Sequence, residues 1–239
     1  MLDGTRLRTD SQPDHACQFC SDHMSGFNHF NERGLTRLDT VHLRDTENFF
    51  VIPDSLPVHP EGYHVVMIPR KHVFSYAQLP AELGEEAQAI VTELETALEE
   101  ELVLFEHGGT KHGGKVQSVY HAHAHLIGSG GHDVLSYMEE VFNQEGITNY
   151  ERTHANHSIT RNIERLFKGQ NYFYIQQNGE ALIAHDPDDS MPSQLAQRNM
   201  SLLLTGEVVN WKEIPANSRF ADLSIERINK VVSKLGLVL

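Results

Sequence analysis

The chain is 239 residues long, enough to bury one large core or one core with an appendage, and its only cysteines are Cys17 and Cys20. Its 33 acidic and 19 basic side chains leave a formal charge of −14, which argues against attraction to a nucleic-acid polymer or an anionic membrane. The opening MLDGTRLRTDSQP has no apolar signal-peptide core, and nowhere do about 18 apolar residues run unbroken, so a soluble, cytoplasmic protein is expected.

In chain order, Cys17 and Cys20 come first, in a C-x-x-C spacing too tight for an ordinary structural disulfide and suited to a metal pair or a redox pair. TENFFVIP at 46–53 reads as a strand stopped by proline, a turn-rich stretch follows to Gly62, and YHVVMIP at 63–69 reads as a second strand. Pro80 is placed to open a long helix as its first residue, with Leu83, Ile90, Leu94, Ala97 and Leu98 as the apolar stripe. The acid-rich remainder of 81–101 reads as that helix's solvated face. A short strand at 102–106 runs into HGGTKHGG at 107–114, a loop glycine-rich enough to be mobile or to wrap closely around something.

A strand is expected from Val116 to Ile127, ended by GSGG at 128–131. Asp133 is expected to cap a helix that runs to about Gln144 and is ended by Gly146. NYFYIQQ and ALIA flank Asn178-Gly179, a hairpin signal, and helical stretches follow at 195–204 and 224–235. Strands and helices mix without regular β-α-β alternation, which predicts an α+β fold around an antiparallel sheet. The expected division is a domain at 1–150, with its core at about 17–145, and a C-terminal extension at 151–239 holding the hairpin and helices.

Within VYHAHAHLI at 119–127, three of the chain's 16 histidines fall on alternate residues of an apolar run. On a strand His121, His123 and His125 would share one side while Ala122, Ala124 and Leu126 face the other. Three buried imidazoles cost desolvation that apolar residues would avoid, so the pattern points to a chemical role in metal binding, acid/base work or nucleophilic attack. A metal alone is an incomplete reading, because no acidic partner stands at a convincing spacing.

HAHAHLI at 121–127 resembles the H-φ-H-φ-H-φ-φ signature, φ being apolar, of the histidine triad (HIT) superfamily of nucleotide hydrolases and transferases. GYHVVMIPRKH at 62–72 is similar to that family's strand and P-K-x-H turn, and QSV at 117–119 stands where the family has G-Q-S/T-V. The motifs span about 17 to 128 in the family's order, with its long helix between them. Val116 replaces the glycine before Gln117, the 107–114 loop has more glycine than usual, and Gly128 stands where proline often follows. Beyond residue 150 the likeness, to longer bacterial HIT-like proteins, is carried by FEHG at 105–108, Ser193-Gln194 and Trp211.

The resemblance implies a HIT-like sheet of about five strands with a long helix and a second helix. It makes His123 the nucleophile towards a nucleotide α-phosphorus, with His125 and Ser118 donating to the phosphate oxygens and His121 in support. Gln117 and Lys115 would approach the phosphates and Asp54 the ribose, while Phe19, Phe49 and Phe50 could border the base. Lys111, His107 and His112 have weaker claims around the glycine loop. In relatives with a cysteine pair the resemblance implies a structural zinc, here on Cys17, Cys20, His72 and His121, a Cys2His2 set suited to tetrahedral Zn2+. His23, His29 and His59 are lesser ligand candidates.

The expected activity is therefore hydrolysis of a phosphoanhydride or phosphoramidate of a small nucleotide, such as a dinucleoside polyphosphate or a nucleoside phosphoramidate. The alternatives are a nucleotidyltransferase to phosphate or a sugar phosphate, and a catalytically idle, zinc-stabilised nucleotide-binding protein. Transferase relatives usually carry H-P-H where this chain has H-A-H, which leans towards hydrolysis. A homodimer is a further expectation from the resemblance.

Overall fold

The computed structural model describes residues 17, 19–20, 42–54, 58, 63–109, 121–155, 158–164, 169–186, 188, 190–192, 194–208, 226 and 229–236. Several expectations lie outside these residues: the glycine loop beyond Gly109, the start of the histidine strand, and the roles given to Gln117, Ser118, Lys115, Lys111, His112, His23, His29 and His59.

Among the described residues eight strands follow one another as β1 (Arg44–Asp45), β2 (Phe49–Pro53), β3 (His64–Pro69), β4 (Leu102–Gly108), β5 (Ala124–Gly128), β6 (Tyr150–His154), β7 (Asn171–Gln177) and β8 (Glu180–Asp186). They form one sheet in the order β1-β2-β3-β5-β4-β7-β8-β6, every neighbouring pair antiparallel. The expected antiparallel α+β fold is present, but the sheet has eight strands where about five were expected. The difference arises where β7 pairs with β4, Phe105 opposite Ile175, and so carries the C-terminal hairpin into the same sheet. Residues on both sides of position 150 therefore share one set of ladder hydrogen bonds.

Both faces of the sheet are covered, which is why its central strands are apolar on both sides. On one face Leu104, Leu126, Tyr174 and Ile183 pack with Ile90, Val91 and Leu94 of helix α1 (Ala81–Leu98) and with Ile159 and Ile163 of helix α3 (Ile159–Glu164). On the other, Phe105, Ile127, Phe173 and Leu182 pack with Met138 and Phe142 of helix α2 (Val134–Gln144) and with Leu195 and Met200 of helix α4 (Leu195–Thr205). Each such fully buried side chain supplies roughly 1.5–3 kcal/mol of transfer free energy.

Local chemistry fixes the ends of these elements. The Asp133 side chain accepts from the Ser136 N–H at 3.1 Å and caps α2, as expected. Asn178 and Gly179 both take positive φ, 50° and 72°, the type I′ pattern of a two-residue hairpin. Pro80 stands at the N-cap of α1, one position earlier than expected. Gly84 lets α3 approach α1: a Cβ there would lie 2.1 Å from Thr160 Oγ1. Near the C-terminus, residues 229–234 are helical, with Val231 and Val232 buried in the α1-side core. Among the described residues no helix is long and apolar enough to cross a membrane.

Candidate active site

Strand β5 enters the sheet between β3 and β4, so the residues just before it are delivered to the sheet's centre. The described strand begins at Ala124, leaving His121 and His123 in irregular backbone ahead of it, whereas the alternation was expected to run through a strand. The Ala122 N–H donates to the Val73 carbonyl at 2.7 Å, which ties this stretch to the turn after β3.

His121 is buried and faces the cysteines. Its Nε2–H donates to the Pro69 carbonyl at 2.6 Å, so Nδ1 carries the lone pair. That nitrogen lies 3.5 Å from Cys17 Sγ and 3.4 Å from Cys20 Sγ, and His72 Nδ1 lies 3.1 Å from Cys20 Sγ. One donor atom from each of the four residues falls within a 4.8 Å group that could hold a metal ion. The donor set fits: two thiolates, one imidazole pinned through its far nitrogen to a carbonyl, and a second imidazole opposite.

His123 makes the opposite choice of nitrogen. Its Nδ1–H donates to the His121 carbonyl at 2.8 Å, so the lone pair sits on Nε2. Burial, and then the neighbouring His125, push its pKa down to about 3, so the ring is neutral at physiological pH. The edge of Phe19 packs against this ring at 5.4 Å and against that of His121 at 5.9 Å.

His125 lies in β5 with its ring centroid 5.3 Å from that of His123, stacked on Phe105 at 4.8 Å. Its Nδ1 is 3.0 Å from His64 Nε2, and Asp54 Oδ2 stands 3.4 Å from both nitrogens. The Val58 N–H donates to His64 Nδ1 at 3.2 Å. On the far side, His125 Nε2 is 3.2 Å from the side-chain amide of Gln197 on α4. The donor atoms of Asp54, His64 and His125 also lie close enough to share an ion. However, the Val58 N–H requires a lone pair on His64 Nδ1, which puts the ring proton on Nε2 and makes that nitrogen a donor, not a ligand.

The structure thus brings together His121, Cys17, Cys20 and His72 in one group and His123, His125 and Asp54 in another. Phe50 is placed differently: it is fully buried on β2, stacked on His42 at 5.3 Å with the Arg70 guanidinium 5.5 Å from its ring, and offers no surface to a base. Phe49 is also fully buried, stacked on Tyr76. His107 lies 3.8 Å from the Asp186 carboxylate beside Phe173. Two members of the site, His64 and Gln197, carry no strong local signal. His64 opens an apolar strand, and Gln197 is one polar residue of an ordinary amphipathic helix 72 positions after His125.

On the opposite face of β4, Glu106 is buried, accepting from the Tyr172 hydroxyl and, at 3.0 Å, from the Tyr76 N–H. Burial pushes its carboxyl up to about 8 despite these hydrogen bonds.

No protein-family model and no curated protein matches the chain. Among solved structures it is similar to a HIT family hydrolase from Clostridium thermocellum, at 23% identity over 50% of this chain and 93% of that one, with a TM-score of 0.36. It is also similar to a histidine triad nucleotide-binding protein from Sulfolobus tokodaii, at 26% identity over 47% and 68%, with a TM-score of 0.33. A uridylyltransferase structure aligns over 92% of this chain and 93% of that one, at 13% identity and a TM-score of 0.43. The chain resembles the histidine triad superfamily in its motifs, and these similar structures include ones bearing that family's name.

Proposed function

We propose that the protein is a nucleotide hydrolase that cleaves a phosphoanhydride or phosphoramidate bond, in a dinucleoside polyphosphate or a nucleoside phosphoramidate, through a covalent nucleotidyl-His123 intermediate. The observation that carries this reading is the main-chain hold on His123: with Nδ1–H given to the His121 carbonyl, the free lone pair sits on Nε2, beside His125.

In the first step His123 Nε2 attacks the α-phosphorus, the P–N bond forms, and the bond to the leaving group breaks with its electron pair going to the departing oxygen or nitrogen. In the second, water attacks the same phosphorus and gives up a proton to solvent, the P–N bond breaks with its electron pair returning to Nε2, and the mononucleotide leaves a neutral imidazole that still carries its Nδ1–H. His125, 5.3 Å away ring to ring, is placed to donate to the non-bridging oxygens as charge builds. By resemblance Ser118, Gln117 and Lys115 add donors around the phosphates. Asp54 is assigned to the ribose by the same resemblance, and it also lies 3.4 Å from both His64 and His125.

Cys17, Cys20, His72 and His121 are the ligands for a structural zinc ion. For Zn–S of about 2.3 Å and Zn–N of about 2.0–2.1 Å, tetrahedral edges between sulfur and nitrogen come to about 3.5 Å, close to the spacings around His121. Bound there, zinc supplies no reaction step; it ties the N-terminal segment to the stretch that carries His123. A homodimer follows from the resemblance, and light scattering sizes it.

The test is an incubation with a panel of dinucleoside polyphosphates and nucleoside phosphoramidates, with and without added phosphate or sugar phosphate. Mononucleotide release that vanishes in His123→Ala is expected. Nucleotidyl transfer to the added acceptor in place of release would make the protein a transferase, and binding without turnover would make it the idle form.

A further inference from the structure

We propose that Gln197, from the helix beyond the triad region, is a positioning residue: its amide oxygen accepts the His125 Nε2–H and holds that proton beside His123. The inference rests on the hydrolase reading for its kinetic consequence and on hydrogen-bond direction for its structural content.

The direction is set at the far end of the chain of contacts. The Val58 backbone N–H can only donate, so His64 Nδ1, 3.2 Å away, accepts and the proton of that neutral ring is on Nε2. His64 Nε2–H faces His125 Nδ1 at 3.0 Å, with the Asp54 oxygen farther off at 3.4 Å, so His125 Nδ1 is the acceptor. The proton of His125 therefore sits on Nε2, 3.2 Å from the Gln197 amide. The amide atom placed there is the nitrogen, but a half-turn of the terminal torsion exchanges N and O without moving the side chain, and only the oxygen can accept. The reverse order, with the amide donating, would set the N–H of His125 Nδ1 against that of His64 Nε2 at 3.0 Å and leave both to the one Asp54 oxygen 3.4 Å from each. The hydrogen bonds then all run one way, from the Val58 N–H to His64, from His64 to His125 and from His125 to Gln197.

Two consequences follow. In the free protein the His125 ring is thereby held at both nitrogens, and the Nε2–H that Gln197 holds is the one that passes to a non-bridging phosphate oxygen when nucleotide binds. The half-buried helix α4, which lies beyond the triad motif, becomes part of the site it borders.

Two measurements test this on the full chain. In long-range 1H–15N correlation spectra of histidine-labelled protein, His125 is expected as the Nε2–H tautomer. Gln197→Met, which keeps the length of the side chain without its amide, is expected to change the His125 resonances and leave those of His72 in place. In turnover, Gln197→Met is expected to lower kcat roughly tenfold with KM within about twofold, the loss of one hydrogen bond. Gln197→Glu, which keeps the accepting oxygen, is expected to recover part of it. An Nδ1–H tautomer in the wild type, spectra indifferent to Gln197→Met, or equal kcat losses in the Met and Glu variants would overturn the proposal. If the wild type turns over no nucleotide, the hydrolase reading fails while the spectra still decide on Gln197.

Discussion

His121 and His123 stand two positions apart and each gives one ring N–H to a main-chain carbonyl, but they give different nitrogens. His121 gives Nε2–H to Pro69 and turns Nδ1 to the thiols, whereas His123 gives Nδ1–H to His121 and carries its lone pair on Nε2. In the proposed reading the same side chain serves as a metal ligand in one place and as a nucleophile in the next. The hydrogen bond on the far nitrogen decides which, and the carbonyl that supplies it is set by the backbone.

The largest effect is expected at the nucleophile. His123→Ala should reduce turnover by at least roughly 10³-fold, as loss of a covalent nucleophile does, while leaving the metal content unchanged. Equal damage to metal content would show that the two histidines do not divide the work. Next in size is the metal group: a chelator should lower the melting temperature of the wild type by roughly 10 °C and leave a Cys17→Ser/Cys20→Ser protein, already less stable, unmoved. Metal analysis by mass spectrometry should find about one zinc ion per wild-type chain and none in that variant.

The smallest expected effect sharpens the comparison from the other face of the sheet. Glu106 has its folded-state pKa raised to about 8 by burial, so the folded protein binds that proton more tightly than the unfolded chain. Its contribution to stability is full below the ordinary carboxylate range and is lost as pH rises towards about 8. Thermal melts taken from about pH 5 to 8 should fall in midpoint by a few degrees, and Glu106→Gln should flatten that slope. A slope unchanged in the Gln variant would assign it to other groups.

Features written in a few adjacent residues were legible beforehand. The C-x-x-C pair, Asp133 as a cap and Asn178-Gly179 as a turn each satisfy backbone or ligand chemistry within a handful of positions and are found in their expected places, whereas of the alternating histidines only His125 lies in the expected strand. The strands β1 and β6 escaped because they are edges: Arg44–Asp45 is two residues long and Tyr150–His154 is mostly exposed and polar, so neither shows an apolar alternation. The number of strands was misjudged for a different reason. Whether β7 joins β4 depends on the match of Leu104, Phe105 and Glu106 with Gln176, Ile175 and Tyr174, a contact between distant segments that no local pattern announces. His64 and Gln197 were missed likewise, since what singles them out is the ring of His125 between them.

The central claim is that phosphorus passes through a bond to His123 Nε2. Wild-type protein is mixed with a labelled dinucleoside polyphosphate, quenched in alkaline denaturant within the first turnover, digested, and the peptide bearing residue 123 weighed. The expected result is a mass increase of one nucleotidyl group, on that histidine and joined through Nε2. Mononucleotide release from the wild type with that peptide never modified, or an adduct that persists in His123→Ala, would contradict it.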